Sequence, residues 1–371
     1  MASFLIWVAA GAVGGGILLL LLANAYFTWY IGWENAQRKG LSYYGGTLAE
    51  RRAFREKIRR RSAFLLPFVR FQARMQAASK KAAEIPSFLY EGVHGPGYSA
   101  SPESFRAAVL YRPTEQDLFV ATQMKCGTTW MQQVAYEVLR HGEGDLSDAG
   151  HRHLNALSPW IEATDGVPLG EAPRVGARGQ RIVKTHLPAK LCPYGEGARY
   201  LYVTRHPVSC FASVADYFQL MYGPYAPDPA KLLDWFLSER MWWLPWPEHV
   251  AGWWEWSQRR SNVLFVHFEE MKKDLAGVVR KVAEFLGERL SDAELKRVAE
   301  KSSFDYMRKN EELFEMSPPN LFSVSGTYFK SGQADRYKDV PEQDRKRILA
   351  HCKERLAGAS YPAARFYPDL G

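Results

Sequence analysis

Four short apolar runs constrain this chain more than anything else in it. DLFVAT ends at Thr122, RIVKTH at His186, RYLYVT at Thr204 and NVLFVHF at Phe268. Each has the length of a strand and is rich in β-branched and aromatic residues, and three of the four lead into stretches with helical apolar spacing. Short strands separated by helices predict a parallel sheet covered by helices on both faces, an α/β fold. With 371 residues, 47% of them hydrophobic and 12 of them Trp, the chain has the apolar material for such a core, which excludes wholesale disorder. In such sheets ligands bind beyond the carboxyl ends of the strands, so the polar residues just past the four runs are the candidates for chemistry.

After the first run comes Lys125-Cys126-Gly127-Thr128-Thr129-Trp130, and then helical spacing from Met131 to Leu139. A helix N-terminus presents backbone N–H groups without partners at the positive end of the helix dipole, so this P-loop-like junction suits a phosphate or sulfate. Gly127 lets the backbone approach an anion closely, and Lys125 adds a point charge. An ordinary strand-turn-helix junction capped by Thr has the same local pattern, so the loop alone does not decide the function. The second and third runs add Lys184, Thr185 and His186, and Arg205 with Ser213 eight residues further on. A neutral imidazole is suited to removing a hydroxyl proton near pH 7, and a guanidinium offers a fork to a second phosphate.

Lys125 to Trp130, then Lys184-Thr185-His186-Leu187-Pro188, then Arg205 with Ser213, resemble the cytosolic-type sulfotransferases that use 3′-phosphoadenosine 5′-phosphosulfate (PAPS). The resemblance runs from about Pro86 to the C-terminus and includes VLFVHFEEMKKD and SSFDYMRKN in the family's order. It implies that Lys125, Cys126 and the loop from Gly127 to Thr129 hold the 5′-phosphosulfate. Arg205 and Ser213 would hold the 3′-phosphate, Trp130 and Phe304 would sandwich the adenine, and Ser302 would be a further nucleotide contact. His186 would be the general base, with Lys184 and Lys125 on the sulfuryl oxygens, and no metal is expected. Trp160 and Tyr217 align with acceptor-pocket positions, and Met241 to Trp246 add aromatic surface. The chain departs from the family loop at Met124, where Pro is usual, and at Cys126, where Ser is usual. Near the C-terminus Lys330 and Gly332 fit the family's clamp on the 3′-phosphate, whereas Ser331 and the triplet Asp335-Arg336-Tyr337 do not. The family's dimer-forming motif is not recognisable, so no oligomer follows from the resemblance.

The first charged residue is Glu34, and the run from Phe4 to Tyr26 is long enough to span a bilayer as a helix. Ala23-Asn24-Ala25 resembles a signal-peptide cleavage site, but the start lacks basic residues and the apolar run exceeds the usual signal length, which favours an anchor. Residues 51–81 then hold eleven Lys or Arg and one Glu, while the whole chain carries +8, so the body beyond Lys81 is slightly acidic and is not expected to bind nucleic acid. The expected organisation is a transmembrane anchor over 1–33, a basic amphipathic juxtamembrane segment over 34–85 with its helical character broken near Pro67, and a sulfotransferase domain over 86–371. Lys and Arg only on the C-terminal side of the span, no N-x-S/T sequon and no disulfide-like Cys spacing favour a cytosolic body for the single-pass protein, with a lumenal body as the alternative. Its expected partners are the lipid bilayer and a small-molecule or lipid acceptor: a lipophilic alcohol, sterol or phenol. Two other readings are a non-catalytic membrane scaffold that keeps the nucleotide fold and a P-loop phosphotransferase using ATP. The second lacks its motif, because Lys125 precedes the glycine instead of following it.

Overall fold

The computed structural model describes residues 2–37, 41–63, 65–78, 84–147, 153–164, 166–330 and 336–371. The four apolar runs are strands, preceded by a hairpin of β1 (Ser87–Tyr90) and β2 (Val93–Pro96) that the patterning did not signal. β3 (Asp117–Thr122), β4 (Arg181–Thr185), β5 (Arg199–Thr204) and β6 (Val263–His267) form one parallel sheet in the order β4-β3-β5-β6. Val120 pairs with Lys184 on one side and Leu201 on the other, and Thr204 pairs with His267.

Both faces of the sheet are covered, which is why its strands read as continuous apolar runs. Leu118, Val120, Ile182, Leu201 and Val203 pack on one side with Val134 of the helix Thr128–Leu139 and Val279 of the helix Leu275–Leu286. Phe119, Ala121, Val183, Tyr200 and Tyr202 pack on the other with Val208 of the helix Pro207–Tyr222 and Trp253 of the helix Trp246–Arg259. Trp253 stacks on Tyr202 with ring centres 5.1 Å apart and is wholly buried. Its truncation to Ala would cost about 3–5 kcal/mol. The chain passes from β3 to the outer β4 and returns across β3 to β5, so the strand order reverses between β3 and β5. That switch point leaves a crevice at the carboxyl ends of the strands.

One helix, Ala2–Gln37, holds the whole N-terminal apolar run, and its part Val13–Gln37 is long and apolar enough to cross a membrane. Val13 and the run from Ile17 to Leu22 present seven large aliphatic side chains to the outside. The end of this helix packs on the body: Glu34 is buried and accepts from the Leu321 backbone N–H at 3.0 Å, and Tyr30 is buried beside Leu65, Val69 and Leu321. The basic segment forms two helices, Leu48–Ser62 and Leu65–Ala78. The break expected near Pro67 falls between Ser62 and Leu65. Pro67 itself lies in the first turn of the second helix, where its missing N–H has no helical acceptor to lose. A capping box fixes the start of the first helix, with Thr47 accepting from Glu50 N–H and Glu50 accepting from Thr47 N–H. Arg55 of that helix pairs with the buried Glu315 and donates to the Val324 carbonyl at 2.9 Å, so part of the expected lipid-facing charge is spent on the body.

Candidate active site

A cavity of about 680 Å³ opens at the switch point. The turn after β3 enters it in a strained conformation: Lys125 has φ 64° and Gly127 φ 110°, both left-handed. Gly127 is required twice over. A Cβ there would also lie 2.9 Å from the Phe268 ring. The first backbone bond of the following helix runs from Met131 N to Gly127 O at 3.0 Å, which leaves the earlier N–H groups of that turn available to an anion. Thr128 Oγ1 lies 2.6 Å from Thr122 Oγ1, tying the helix start to the strand end. Lys125, Gly127, Thr128, Thr129 and Trp130 all line the cavity.

Cys126 does not. Its side chain is fully buried with Sγ 3.7 Å from Cys210 Sγ, and its backbone N–H is bonded to the Gln123 carbonyl, so it fills core space and contributes no contact to the crevice. Of the expected loop residues from Lys125 to Trp130, Cys126 is the one whose side chain lies away from the cavity. A small, weakly polar side chain suits that interior position better than a hydroxyl would.

β4 delivers Lys184 and His186. Lys184 is buried under Trp160, with Nζ 4.1 Å from the indole centre, and the Trp160 segment is held there by Lys184 N–H donating to the Pro159 carbonyl at 2.8 Å and Ile161 N–H to the Lys184 carbonyl at 3.0 Å. His186 Nδ1 lies 2.9 Å from the Thr122 carbonyl and 3.2 Å from its hydroxyl. The fully buried carboxylate of Glu162 accepts from His186 N–H at 2.6 Å and from the Thr185 hydroxyl at 2.9 Å, fixing the backbone that carries both functional side chains. Glu162 sits in the SPWIE stretch, but nothing in its spacing marks it.

β5 delivers Arg205, buried with its guanidinium 4.4 Å from the centre of the Phe268 ring. Trp246 Nε1 donates to the Arg205 carbonyl at 3.0 Å; this tryptophan is support, while Trp242 and Trp243 are the members of Met241 to Trp246 that line the cavity. From the helix Pro207–Tyr222 come Ser213 and, one turn on, Asp216 and Tyr217, all cavity-lining. Tyr217 places its ring 5.1 Å from Lys125 Nζ.

The adenine candidates also converge. Trp130 and Phe304 line the cavity, and Trp130 Nε1 donates to the Ser302 carbonyl at 2.7 Å. Ser302 is fully buried and supports Trp130 without lining the cavity. Lys330 lines the wall and donates to Asp216 at 2.9 Å; Gly332 lies outside the described residues. Arg336, set aside in the sequence as a departure from the family clamp, also lines the cavity and pairs with Asp216, and Lys272 joins them.

So many cations in one cavity strain one another. Burial, with the charges of Arg205 and Lys184 beside it, lowers the Lys125 pKa to about 7, and burial lowers Lys184 to about 8 against the opposing pull of Glu162. Burial first, then Lys184, pushes His186 well below its ordinary value, so the imidazole is neutral. Lys125, Lys184, Arg205, Lys272, Lys330 and Arg336 around one cavity suit a polyanion. Among the described residues there is no cluster of three or more His, Cys, Asp or Glu placed to hold a metal.

A parallel α/β sheet with an open helix N-terminus at its switch point, ringed by cations and aromatic faces, defines a nucleotide-type anion site on a P-loop-like fold. The chain belongs to the sulfotransferase family, since residues 115–360 match that family's domain. It is 32% identical over 230 residues to sulfotransferase 1C2 of Oryctolagus cuniculus, covering 59% of this chain and 74% of that one. It is 30% identical over 258 residues to 3-alpha-hydroxysteroid sulfotransferase of Cavia porcellus, covering 67% and 87%. Its fold is similar to that of retinol dehydratase in complex with androsterone and inactive cofactor PAP, with a TM-score of 0.58 at 21% identity over 75% of this chain and 92% of that one.

Proposed function

We propose that this protein is a single-pass membrane enzyme that moves the sulfuryl group of PAPS to the hydroxyl of a lipophilic acceptor, with His186 as the general base and the body in the cytosol. The observation that carries this reading is the sharing of one cavity by Lys125, Lys184, His186 and Arg205 beside the open turn at Gly127 to Trp130. The residues fit PAPS: unpaired helix N–H groups for one anionic end, a buried guanidinium for the other, and Trp130 and Phe304 as flat faces for a base. Bound PAPS supplies a sulfuryl group on an adenosine bisphosphate leaving group.

Lys125 and the turn N–H groups hold the 5′ end, and Arg205 and Ser213 hold the 3′-phosphate, closed in by Lys330 and Arg336 on their Asp216 anchor. Lys184 and Lys125 stabilise negative charge where it grows on the transferred group and the leaving oxygen. His186 takes the acceptor's hydroxyl proton. Trp160, Tyr217 and Trp243 form apolar walls around the hydroxyl, and the Trp243 ring lies 4.8 Å from the imidazole. The steroid named for the guinea-pig relative supports a lipophilic acceptor, as do these aromatic walls. The exposed aliphatic side chains between Val13 and Leu22 support the anchor, because a helix that presents them to water would be unstable.

The chain would thus be organised as an anchor over 1–33, a basic segment over 34–85 and a sulfotransferase domain over 86–371. The reading is tested by following labelled sulfate from PAPS into phenols, sterols and a lipid extract. Binding of adenosine 3′,5′-bisphosphate (PAP) without transfer to any of them would instead favour the scaffold.

A further inference from the structure

The apolar helix does not stop at the membrane. Asn35, exposed on its last turn, and Tyr44 line the same cavity as Lys125, Lys184 and His186. An exposed residue on a cavity wall borders the opening, so the end of the membrane helix forms part of the rim. For the candidate span that starts at Val13, about 30 Å of hydrocarbon ends roughly 3 Å before Asn35 along the helix axis, which puts that rim at headgroup depth.

The neighbouring helix Leu65–Ala78 packs on this same end through Leu65 and Val69 against Tyr30. It turns Phe71 (50% exposed) and Met75 (60%) outward one turn apart, with Arg70 and Arg74 exposed beside them, and Trp29 of the membrane helix is 51% exposed. Apolar side chains interleaved with arginines, continuous with a membrane helix, fit the surface of a bilayer containing anionic lipid. Leu220, Met221, Tyr222 and Pro318 give the same cavity apolar lining.

We infer that the acceptor is a membrane-resident amphiphile whose hydroxyl sits at headgroup level and which enters the cavity laterally, past Asn35, without passing through the cytosol. This rests on the reading of the cavity as the sulfuryl-transfer site and of Ala2–Gln37 as the anchor. The apolar tail would remain against the rim and the bilayer while the hydroxyl reaches His186.

The test uses the full chain reconstituted in phosphatidylcholine and phosphatidylserine vesicles with labelled PAPS. Cholesterol or docosanol, which leave a bilayer slowly, are placed either in the same vesicles or in separate protein-free ones, and 4-nitrophenol serves as a soluble acceptor. Transfer at least tenfold faster from the same vesicles is expected. Phe71→Glu with Met75→Glu should reduce that advantage at least fivefold while leaving 4-nitrophenol turnover unchanged, and Asn35→Trp should slow transfer to the membrane alcohols at least tenfold. Sulfation of 4-nitrophenol with no advantage for the same vesicles, or with no transfer to either alcohol, would overturn lateral entry and leave the sulfotransferase reading standing. PAP binding without transfer to any of the three would overturn both.

Discussion

His186 Nδ1 lies 2.9 Å from the carbonyl oxygen of Thr122, a group that can only accept. In a neutral ring the shared proton therefore sits on Nδ1, which leaves Nε2 bare to act as a base. Replacing His186 with Ala should lower turnover by about 10²–10⁴-fold, the usual worth of a positioned base, while PAP binding measured by calorimetry stays within a fewfold of the parent. Unchanged turnover would show that another group takes the proton.

The pH dependence should separate the empty from the loaded site. With Lys125 at about 7 and Lys184 at about 8 in the free protein, kcat/KM for PAPS should fall as pH rises through that range, because the anion then meets uncharged lysines. Once bound, the donor holds those protons, so the alkaline limb of kcat should lie higher. The acid limb of kcat/KM should lie below the ordinary histidine range, since burial and Lys184 keep His186 neutral there. For stability the sign is reversed relative to a paired lysine. Folded values below the unfolded ones mean that the unfolded chain binds more protons, so the donor-free protein should gain stability from these two groups as pH rises from about 7 towards 10, and lose it as pH falls. Denaturant midpoints across that range, with and without excess PAP, measure this. A slope that PAP fails to flatten would contradict it.

Gly127→Ala combines a left-handed φ of 110° with a Cβ 2.9 Å from Phe268. Strain of about 1–3 kcal/mol is expected, relieved by moving the turn and so misaligning its N–H groups. PAP affinity should fall about tenfold or more. A variant binding PAP as tightly as the parent would mean that the turn is not the anion cradle.

Glu162 touches the backbone of His186 and the hydroxyl of Thr185 and lies outside the cavity lining. It acts as a positioning residue. Glu162→Gln should lower kcat about tenfold with little change in KM for PAPS. It should also move the alkaline limb of kcat/KM to lower pH, because the carboxylate that raises the Lys184 pKa is gone. A purely structural role would reduce folded protein without shifting the pH profile.

Arg55 is the counter-charge of Glu315, whose side chain is only 2% exposed. Arg55→Ala leaves that carboxylate with the Tyr43 hydroxyl as a remaining partner, at a cost of about 3 kcal/mol. Hydrogen exchange in the helix Leu48–Ser62 should then quicken by about two orders of magnitude, while strands β3 and β5 stay protected. Equal exchange in parent and variant would show that the basic segment is not anchored through this pair.

The sequence by itself determined the four parallel strands, the carboxyl-end positions of Lys125, Lys184, His186 and Arg205, and the long apolar helix. Those signals are local: an apolar run has a length and a period, and the polar residue that ends it sits where the next element must begin. The tertiary structure alone decided what depends on contacts between distant segments. Glu162 reaches His186 across 24 residues, Arg336 is recruited through Asp216 although its own triplet breaks the family pattern, and Asn35 joins the cavity lining from the end of the helix Ala2–Gln37. Cys126 points into the core because Cys210 and the strained turn leave that direction, not the crevice, for its side chain. Pairing of this kind is set by packing and charge balance in three dimensions, which no periodicity along the chain encodes.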